Sequence, residues 1–371
     1  MKVKVAVILP YFGSGGAETM VAHLTSHFDL NRLNVQVYCI YGEPLKNHLE
    51  KEVQSHGIKI IFIGKKLGFS IKAVFKLYKE LNIFKPDIIH THLMACMYAT
   101  PWVLTHNIKM LHTLHSIPQS ENSYFIRKIT TSFLYKIKKA VPVAISIENQ
   151  KLIAEYYNMK KESIEVVNNP VITRRYYHRK ILGDTITLIT VGRLSKEKNQ
   201  VMMIEVFKEL YKEYSNIKLM IVGDGEERKS LEKKAQEYKI DKNIIFVGRV
   251  VNVEDYLCDA DIFLLSSFYE GVPLSILEAM AARLPIISTN VGGVKDIVTN
   301  NGILVQSNNI EAMKNAILKL IKNKKLRIKM GENSLMNIKK YDVENIAEEY
   351  TRLYEKFSYK KTSNWSKDET N

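Results

Sequence analysis

The sequence predicts an α/β protein with two parallel β-sheets, each covered by helices. Short apolar runs rich in Val and Ile alternate with longer amphipathic runs along most of the 371 residues, and this alternation is typical of parallel strands joined by crossover helices. The alternation stops once, over the polar and basic residues 167–180. Since the chain is long enough for two domains of ordinary size, we expect one sheet on each side of that segment.

The first half begins with the strand-like run Lys4–Leu9, whose apolar part is too short for a signal peptide and is followed at once by a glycine-rich turn. The further strand-like runs are Val35–Ile40, Ile58–Ile63, Ile88–His90, Met110–Leu114 and Val143–Ile145. The helix-like runs are Ala17–Phe28, Ile71–Ile83 and Lys128–Lys138. We expect these elements to form an N-terminal domain over residues 1–170.

The second half repeats the same alternation. Its strand-like runs are Ile186–Val191, Lys218–Val222, Ile244–Phe246, Ile262–Leu265, Ile286–Ser288 and Ile303–Val305. Its helix-like runs are Met202–Tyr214, Glu226–Tyr238, Ser275–Ala282 and Glu311–Asn323. We expect a second domain over residues 171–345, then a C-terminal helix and a polar tail over residues 346–371. The composition of the tail from Tyr359 onward predicts disorder.

The composition and charge limit the classes of ligand that the protein can bind, but they do not identify one. A formal net charge of +15 favours phosphorylated ligands, anionic lipid or nucleic acid. The sequence contains no apolar run near the roughly 20 residues that span a bilayer. Cys39, Cys96 and Cys258 lie far apart in apolar surroundings, so we expect buried thiols in a reducing cytoplasm rather than disulfides or a metal site.

Two glutamates, Glu270 and Glu278, stand on either side of a turn that follows the strand-like run Ile262–Leu265. Proline is favoured in a first helical turn, so we expect a helix to begin near Pro273. Its N-terminal N–H groups would suit a phosphate or a sugar hydroxyl. The carboxylate of Glu278, further along that helix, can accept hydrogen bonds from a vicinal diol such as a ribose. The turn itself consists of Gly271, Val272, Pro273, Leu274 and Ser275.

A second turn, rich in glycine, follows the first strand and contains Gly15, Gly16 and Glu18. Glycine lets a ligand approach the backbone closely. A dinucleotide fingerprint is disfavoured because Glu18 occupies its third glycine position and no acidic residue follows the second strand. A tight turn without a ligand and a turn that faces a phosphorylated substrate both stay open.

Basic side chains follow the first strand of the second half. Arg193 and Lys198 lie in the loop after Ile186–Val191. Arginine supplies a planar fork of donors and lysine a point charge. A departing diphosphate needs such neutralisation because its negative charge grows as the bond to the sugar breaks. A solvated basic turn is the alternative.

Four histidines, at positions 90, 92, 112 and 115, are close in sequence to two strands of the first half. A metal site is disfavoured because no carboxylate is near them in sequence. A structural role in the core stays open for these histidines.

Two further glycine turns end strands of the second half. One contains Gly223 and Gly225, and the other precedes Arg249 and Val250. By their residues alone they can serve simply as turns between strands and helices. Arg283 stands after the helix-like run Ser275–Ala282, where glycine would make an easier left-handed cap, so we expect strain or a different helix end there.

Together these motifs resemble the retaining glycosyltransferases of family 4, in matching order over roughly residues 5 to 350. The resemblance implies the GT-B fold, in which two Rossmann-like domains face each other across a cleft. It implies that the first domain binds the acceptor, that the second binds the nucleotide sugar, and that the last helix can cross back onto the first domain. It implies catalytic roles for His115, with His112 as the rival match, and for Glu270, Arg193 and Lys198. It also implies that the turns at Gly223 and Gly225 and before Arg249 line the nucleotide pocket. It places Glu18 on the acceptor side. It implies donor binding by Gly15, Gly16, Arg193, Lys198, Arg249, Val250, Glu270, Gly271, Val272, Pro273, Leu274, Ser275 and Glu278.

The resemblance further implies transfer of a sugar from a nucleoside-diphosphate sugar, with UDP favoured, to a hydroxyl of a growing glycan or a lipid-linked acceptor. It implies neither a metal nor any other cofactor, and it favours a part in bacterial surface polysaccharide synthesis. A sugar-nucleotide epimerase of the same fold is the first alternative. A nucleic-acid-binding protein, suggested by charge alone, is weaker because the sequence shows no RNA-recognition signature.

The segment Tyr124–Lys139 mixes apolar and basic residues at near-helical spacing. Such a helix can lie on anionic lipid, which predicts a cytoplasmic protein that associates with the inner face of the membrane. The alternative is a core-facing stripe with a solvated basic face. Residues 71–79 give a second, weaker candidate for the same role.

Overall fold

The computed structural model describes residues 2–13, 15–65, 68–121, 125–176 and 185–358. Part of the predicted linker and the tail from Tyr359 onward lie outside these described residues. The described chain divides into two compact units, one of residues up to 170 together with those from 343 onward, and one of residues 171–342.

The N-terminal unit is built on a seven-stranded parallel sheet with the strand order β3-β2-β1-β4-β5-β6-β7. Its strands are β1 (Val3–Leu9), β2 (Leu33–Tyr41), β3 (Lys59–Lys65), β4 (Ile88–His92), β5 (Lys109–Leu114), β6 (Ala140–Ala144) and β7 (Glu165–Val166). Strand β1 lies beside both β2 and β4. Residues Val5–Leu9 are at most 1% exposed, because a central parallel strand is covered on both faces.

Eight helices of the described residues belong to this unit: α1 (Gly16–Thr25), α2 (His48–Ser55), α3 (Ile71–Phe84), α4 (Ala95–Thr105), α5 (Pro118–Glu121), α6 (Phe125–Lys136), α7 (Ile147–Tyr157) and α15 (Val343–Phe357). Polar caps start several of them. The side chains of Asn47, Ser70 and Ser146 accept hydrogen bonds from the first-turn amides of α2, α3 and α7.

The C-terminal helix α15 packs against α1 and β1. The Tyr354 hydroxyl lies 2.7 Å from His90 Nδ1 on β4, and both residues are fully buried. At the surface Arg32 donates to Glu348 at 2.7 Å and to Glu355 at 2.9 Å. These contacts fix the last described helix to the sheet formed by the first half of the sequence.

The C-terminal unit is built on a six-stranded parallel sheet with the order β10-β9-β8-β11-β12-β13. Its strands are β8 (Ile186–Val191), β9 (Ile217–Val222), β10 (Ile244–Gly248), β11 (Ile262–Leu265), β12 (Ile286–Thr289) and β13 (Gly302–Val305). Its helices are α8 (Gln200–Glu213), α9 (Arg228–Glu237), α10 (Val253–Cys258), α11 (Leu274–Ala281), α12 (Val294–Ile297), α13 (Ile310–Lys322) and α14 (Lys324–Ile338).

The predicted class, two parallel α/β sheets, is confirmed. The predicted strands of both halves lie within the observed ones to a few residues. Strand β7 and helices α2, α4, α5, α7, α10, α12 and α14 were missed. Helix α4 contains Pro101 and is apolar on several sides, whereas α14 begins with a basic run and shows little amphipathic period.

The end of α11 shows how Arg283 is accommodated. Its φ is +59°, so it takes the left-handed conformation that glycine adopts more easily. The Arg283 N–H donates to the Met280 carbonyl at 3.0 Å, and the Leu284 N–H donates to the Ala279 carbonyl at 2.9 Å. This pair of bonds is the Schellman cap, so the helix keeps the normal termination at the cost of strain on Arg283.

The three cysteines, all of which the structure describes, are buried and form no disulfide. None of the helices in the described part of the chain is long and apolar enough to cross a bilayer.

Candidate active site

The strand order of the C-terminal sheet reverses between β8 and β11. From β8 the chain moves outward through β9 and β10, and from β11 it moves the opposite way through β12 and β13. Ligands of open parallel sheets bind at such a switch point, outside the carboxyl ends of the strands. The loops after β8 and β11, residues 192–199 and 266–273, stand at this point.

Lys198 and Glu270 meet there, although 72 positions separate them in sequence. Lys198 Nζ lies 2.5 Å from Glu270 Oε1, and the Ser267 hydroxyl donates to the same oxygen at 2.6 Å. Glu270 is 8% exposed, while the Lys198 side chain is 28% exposed. The Glu270 carboxylate is therefore almost fully buried, whereas the Lys198 ammonium group remains accessible to solvent.

Backbone contacts hold the two loops together. The Ser266 hydroxyl donates to the carbonyls of Lys198 and Asn199 at 2.9 and 2.7 Å. The Phe268 N–H donates to the Glu197 carbonyl at 2.9 Å. The separation between Lys198 and Glu270 is thus set by the main chain as well as by the ion pair.

The turn after β12 closes on the same loop. A Cβ atom at Gly292 would lie 1.8 Å from the Glu270 carbonyl oxygen, and Gly292 has a φ of +51°. The Gly293 N–H donates to the Gly271 carbonyl at 3.0 Å, and Thr289 Oγ1 donates to the Ser267 carbonyl at 2.7 Å. Only glycine at position 292 permits this approach.

The segment between the two glutamates leads into α11. Pro273 precedes the first residue of the helix, Leu274, one position from the predicted start. Val272 is 4% exposed, whereas Gly271 and Ser275 are half-buried. Val272 therefore anchors the turn in the interior, while Gly271 and Ser275 keep part of their surface exposed to solvent.

Glu278 lies on α11 and is half-buried. Burial raises its pKa to about 7, the negative charge of Glu254 adds to that rise, and Arg175 opposes it. The neighbouring Tyr176 is 6% exposed, and burial together with Glu278 raises its pKa well above the usual range. Near neutral pH, Glu278 is therefore present in both its protonated and its ionised form.

Arg193 occupies the outer part of the β8 loop. Its side chain is 74% exposed and forms an ion pair with Glu226 at 3.4 Å, so the structure places it in solvent while Lys198 pairs with Glu270. Its carbonyl accepts a hydrogen bond from the Gln200 amide at 2.9 Å. The guanidinium is consequently free to change partners at small cost, because exposed ion pairs contribute little.

The glycine turn after β9 packs tightly on the β8 loop. A Cβ atom at Gly223 would lie 1.9 Å from the Gly192 carbonyl oxygen, and one at Gly225 would lie 2.2 Å from that of Leu194. Arg249 and Val250 follow β10, with Arg249 exposed and Val250 half-buried. The carboxyl ends of β8, β9, β10, β11 and β12 thus each contribute a turn at one edge of the sheet.

In the N-terminal unit, His115 follows β5 and contacts the end of β4. Its Nε2 lies 2.9 Å from His92 Nδ1, and the His92 and His90 rings lie 4.2 Å apart between centroids. Desolvation lowers the pKa of His115 to about 4, so the ring is neutral at physiological pH. The rival residue, His112, is 1% exposed and contacts Thr91 Oγ1 at 3.0 Å, which places it in the core.

Glu18 lies in the first turn of α1, after the glycine turn. Burial raises its pKa, and a backbone hydrogen bond opposes that rise. A Cβ atom at Gly15 would lie 2.5 Å from Glu18 Oε2, so Gly15 leaves room for the carboxylate. Gly15 and Gly16 are both exposed.

Sequence reasoning missed three groups of the C-terminal unit: Ser267, Glu254 and Arg175. Ser267 lies three positions before Glu270, a spacing that a turn can close, and this was the available signal. Glu254 and Arg175 come from distant parts of the chain, so no local pattern linked them to Glu278. Within the described residues, no group of three or more His, Cys, Asp or Glu side chains could hold a metal ion.

One basic residue of the predicted lipid-binding segment was wrongly placed. Arg127 is 8% exposed and lies on the inner side of α6 with Thr131, Leu134 and Tyr135. Lys128, Lys136 and Lys138 are exposed. Tyr124 lies outside the described residues. The inward position of Arg127 follows from its helical spacing to Thr131 and Leu134.

Two family models match the chain in succession. The model described as Glycosyltransferase Family 4 matches residues 14–175, and the model described as Glycosyl transferases group 1 matches residues 178–335. Together they extend over most of the sequence, and the boundary between them falls in the segment between the two sheets.

Two named relatives act on lipid-linked acceptors. The Escherichia coli UDP-Gal:alpha-D-GlcNAc-diphosphoundecaprenol alpha-1,3-galactosyltransferase is 26% identical, over 82% of this chain and 85% of its own. A Campylobacter jejuni alpha-1,4-N-acetyl-D-galactosaminyltransferase, whose substrate is named as a diNAcBac-PP-undecaprenol glycan, is 25% identical over 95% and 98%.

Solved structures show the same fold. Anabaena HepE in complex with UDP-glucose superposes with a TM-score of 0.82 at 17% identity, over 95% of this chain and 99% of that one. The sucrose-phosphate synthase of Thermosynechococcus elongatus superposes with a TM-score of 0.81 at 18% identity, over 96% and 99%. At this level of identity the likeness identifies the fold alone.

Proposed function

Because the chain belongs to glycosyltransferase family 4 and has the GT-B fold, we propose that it is a retaining enzyme. It transfers a sugar from a nucleoside-diphosphate sugar to a hydroxyl of a glycan or lipid-linked acceptor. The observation that carries this proposal is the meeting of Lys198 and Glu270, with Ser267, at the switch point of the C-terminal sheet.

Lys198 and Arg193 neutralise the diphosphate as it departs. Lys198 is fixed by Glu270 at 2.5 Å, whereas Arg193 is 74% exposed and forms a surface pair with Glu226. Charge that is already in place needs no reorganisation when negative charge grows on the leaving group. Both cations serve where other enzymes use a metal ion, so we propose that neither a metal nor any other cofactor takes part.

The backbone from Gly271 to Ser275 binds the donor at the N-terminus of α11. The first amides of a helix lack partners within it, and the helix dipole favours an anion there. Glu270 binds hydroxyl groups of the donor sugar, because its carboxylate has acceptor capacity beyond the bonds from Lys198 and Ser267. Glu278 binds the ribose diol, and Arg249 and Val250 contact the base.

In the N-terminal unit, His115 binds the sugar ring of the donor. Its neutral imidazole can donate from one nitrogen and accept at the other, and the low pKa of about 4 keeps it neutral. Gly15 and Gly16 bring the backbone close to the phosphates, and Glu18 lies on the acceptor side. Transfer follows a front-face route in which the leaving phosphate takes the proton of the acceptor hydroxyl.

The relatives supply the substrate class of the proposal. One named relative uses UDP-Gal and two act on undecaprenol-linked substrates, and HepE binds UDP-glucose. We therefore favour a UDP-sugar donor and a lipid-linked acceptor in bacterial surface polysaccharide synthesis. Such an acceptor lies in a membrane, so we place the protein in the cytoplasm at the anionic inner face of that membrane.

A thermal-shift screen of nucleotides and nucleotide sugars tests the donor. A ligand that binds the folded state stabilises it by about 2.7 kcal/mol at a hundredfold excess over Kd. We expect UDP and one UDP-sugar to raise the melting temperature, with smaller shifts from GDP and ADP. Equal shifts for all nucleotides, or none, would contradict the proposed donor site.

The stereochemistry is tested with the donor found in that screen. We expect the anomeric proton of the product to keep the configuration of the donor in NMR spectra, and activity to persist with EDTA. Inversion would contradict the retaining mechanism, and activity that EDTA abolishes and a divalent ion restores would contradict catalysis without metal. Conversion of the nucleotide sugar to its epimer without an acceptor would favour the epimerase alternative.

A further inference from the structure

Helix α6 carries apolar side chains on two opposite sides. Its inner side buries Thr131, Leu134 and Tyr135, and the helix packs against β6 and α4. Its outer side exposes three apolar side chains at spacings of three and four residues, which line one stripe. These are Ile126 at 66%, Ile129 at 52% and Phe133 at 49% exposed, and Ile137, just beyond the helix, is 41% exposed. None of these side chains belongs to the buried clusters described for this unit.

Helix α3 has the same arrangement. Ala73, Leu77, Leu81 and Phe84 face the core. On the outer side Ile71 and Phe75 are each 64% exposed, and Ile83 is 78% exposed. An amphipathic surface helix normally turns charged or polar residues to solvent, so α3 and α6 depart from the expected pattern in the same way.

The two outer stripes lie on one side of the N-terminal sheet. Helix α4 packs against both α3 and α6, and all three contribute to one buried cluster that includes Leu77, Trp102 and Leu134. Leu104 of α4, the helix that contacts both of the others, is 43% exposed. We call the outer side of α3, α4 and α6 the helical face.

The charges on the helical face are almost all positive. Lys72 and Lys79 of α3 are exposed, as are Lys128 and Lys136 of α6 and Lys138 just beyond it. The sequence from Phe125 to Lys139 contains no acidic residue. Lysines beside an exposed apolar stripe are typical of helices that lie in the interface of an anionic bilayer.

Charge argues against the other occupants of this surface. A second copy of the chain, seated face to face, would bring lysines against lysines, and like charges disfavour association. An acidic protein could pair with the lysines. It would also need an apolar groove that covers the exposed side chains of two separate helices, α3 and α6. A bilayer satisfies both features, since apolar side chains enter the acyl region while lysines contact lipid phosphates.

We propose that the helical face is a membrane-binding surface that inserts apolar side chains from both α3 and α6. Binding then depends on Phe75, Ile83, Ile129 and Phe133 at least as much as on the lysines. The inference deepens the proposed action at an anionic membrane, and it rests on that proposal only for its biological setting. Binding to lipid is measurable without substrates, so it can fail independently of catalysis.

Flotation of the full chain with vesicles of phosphatidylcholine and phosphatidylglycerol tests the proposal. Two double variants remove one stripe each, Ile129→Ser with Phe133→Ser on α6 and Phe75→Ser with Ile83→Ser on α3. A matched control, Ile328→Ser with Met336→Ser, changes two exposed apolar residues of α14 (38% and 58% exposed). We expect each stripe variant to weaken partitioning about tenfold or more, because apolar transfer is lost, and the control to bind as wild type.

Salt separates insertion from charge attraction. At about 0.5 M salt, where screening is strong, we expect wild type to keep a measurable bound fraction that neither stripe variant retains. Equal flotation of all four proteins would overturn the proposal. So would a dimer of wild type that dissociates in the stripe variants while lipid binding is absent, or stripe-dependent binding to an acidic protein without lipid binding.

Activity with a short soluble acceptor keeps this test distinct from the proposed function. We expect the stripe variants to retain wild-type transfer to that acceptor and an unchanged melting temperature, because the substituted side chains are exposed. If lipid binding is lost and soluble transfer persists, the surface is assigned. If transfer is absent in wild type as well, the function fails and the surface is judged on flotation alone.

Discussion

Lys198 Nζ lies 2.5 Å from Glu270 Oε1, and the two side chains come from the loops on either side of the strand-order reversal in the C-terminal sheet. The pair therefore joins the two halves of that sheet where a ligand of such a fold binds. The Ser267 hydroxyl donates to the same carboxylate oxygen at 2.6 Å.

Lys198→Ala removes the cation that faces the proposed diphosphate. We expect kcat to fall by about a hundredfold to a thousandfold, because stabilisation of growing negative charge is lost, while binding of the free nucleoside changes little. Steady-state kinetics and calorimetry with uridine measure the two effects. Arg193→Ala should act in the same direction.

Lys196→Ala is the matched control, since Lys196 is exposed in the same loop. It removes the same charge from the loop without touching Glu270. Turnover of Lys198→Ala equal to that of Lys196→Ala would remove Lys198 from the chemistry.

Glu278→Gln tests the ribose contact through pH. The pKa of Glu278 is raised to about 7, so the carboxylate that accepts from a diol becomes fully ionised only above that pH. We expect the affinity of wild type for the nucleotide sugar to rise between pH 6 and pH 8. Glu278→Gln should bind weakly at both values. Calorimetry at the two pH values measures the difference.

The same residue affects stability without any ligand. A carboxyl whose pKa is higher in the folded state holds its proton there longer than in the unfolded state. Stability therefore falls as pH rises from the unfolded value of 4.5 through about 7. Relative to wild type, Glu278→Gln should gain melting temperature between pH 5 and pH 8. Glu254→Gln should reduce the pH effect, since Glu254 raises the pKa of Glu278. A constant difference across pH would contradict the raised pKa.

Gly292→Ala disturbs the loop that carries Glu270. The added Cβ would lie 1.8 Å from the Glu270 carbonyl oxygen at a φ of +51°, so the turn must move. We expect a loss of about 3 kcal/mol or more in the free energy of unfolding, a size typical of overpacking combined with backbone strain. Turnover should fall sharply in whatever protein folds. Thermal melting and kinetics measure both.

Gly57→Ala separates the clash from the strain. Gly57 has a φ of +77°, but nothing lies within 4 Å of its added Cβ. Gly57→Ala should lower the free energy of unfolding by only about 1–2 kcal/mol, the effect of an alanine in the left-handed conformation. It should leave turnover unchanged. Equal losses in the two variants would show that the contact with Glu270 carries no special weight.

Arg283→Gly should stabilise the protein. Arg283 sits at a φ of +59° in a Schellman cap, a position that glycine adopts with less strain. Part of this gain is offset because glycine has more freedom in the unfolded chain, so we expect about 0.5–1 kcal/mol in favour of the variant. Arg283→Ala keeps the Cβ and serves as the control for loss of the side chain. A variant with glycine that melts below the one with alanine would contradict the reasoning.

The sequence by itself determined the two α/β halves and most of their elements. Helical and strand periods, caps and turns depend on residues a few positions apart, so β8 and β11 were predicted from local pattern alone. Prediction failed at α4, where Pro101 and apolar residues on several sides obscure the period. The loop chemistry around Lys198 and Glu270 was likewise readable from residue types, though the contact between them was not.

Only the tertiary structure decided which distant groups meet and which helical side faces the sheet. The contact of Glu270 with Lys198 spans 72 positions and depends on strand order, which no local period encodes. The sequence of α6 predicted a helix that contains both apolar and basic residues. Packing against the sheet turned Arg127 inward and left Ile126, Ile129 and Phe133 outward. A period defines the sides of a helix, but the neighbours it packs against decide which side is buried.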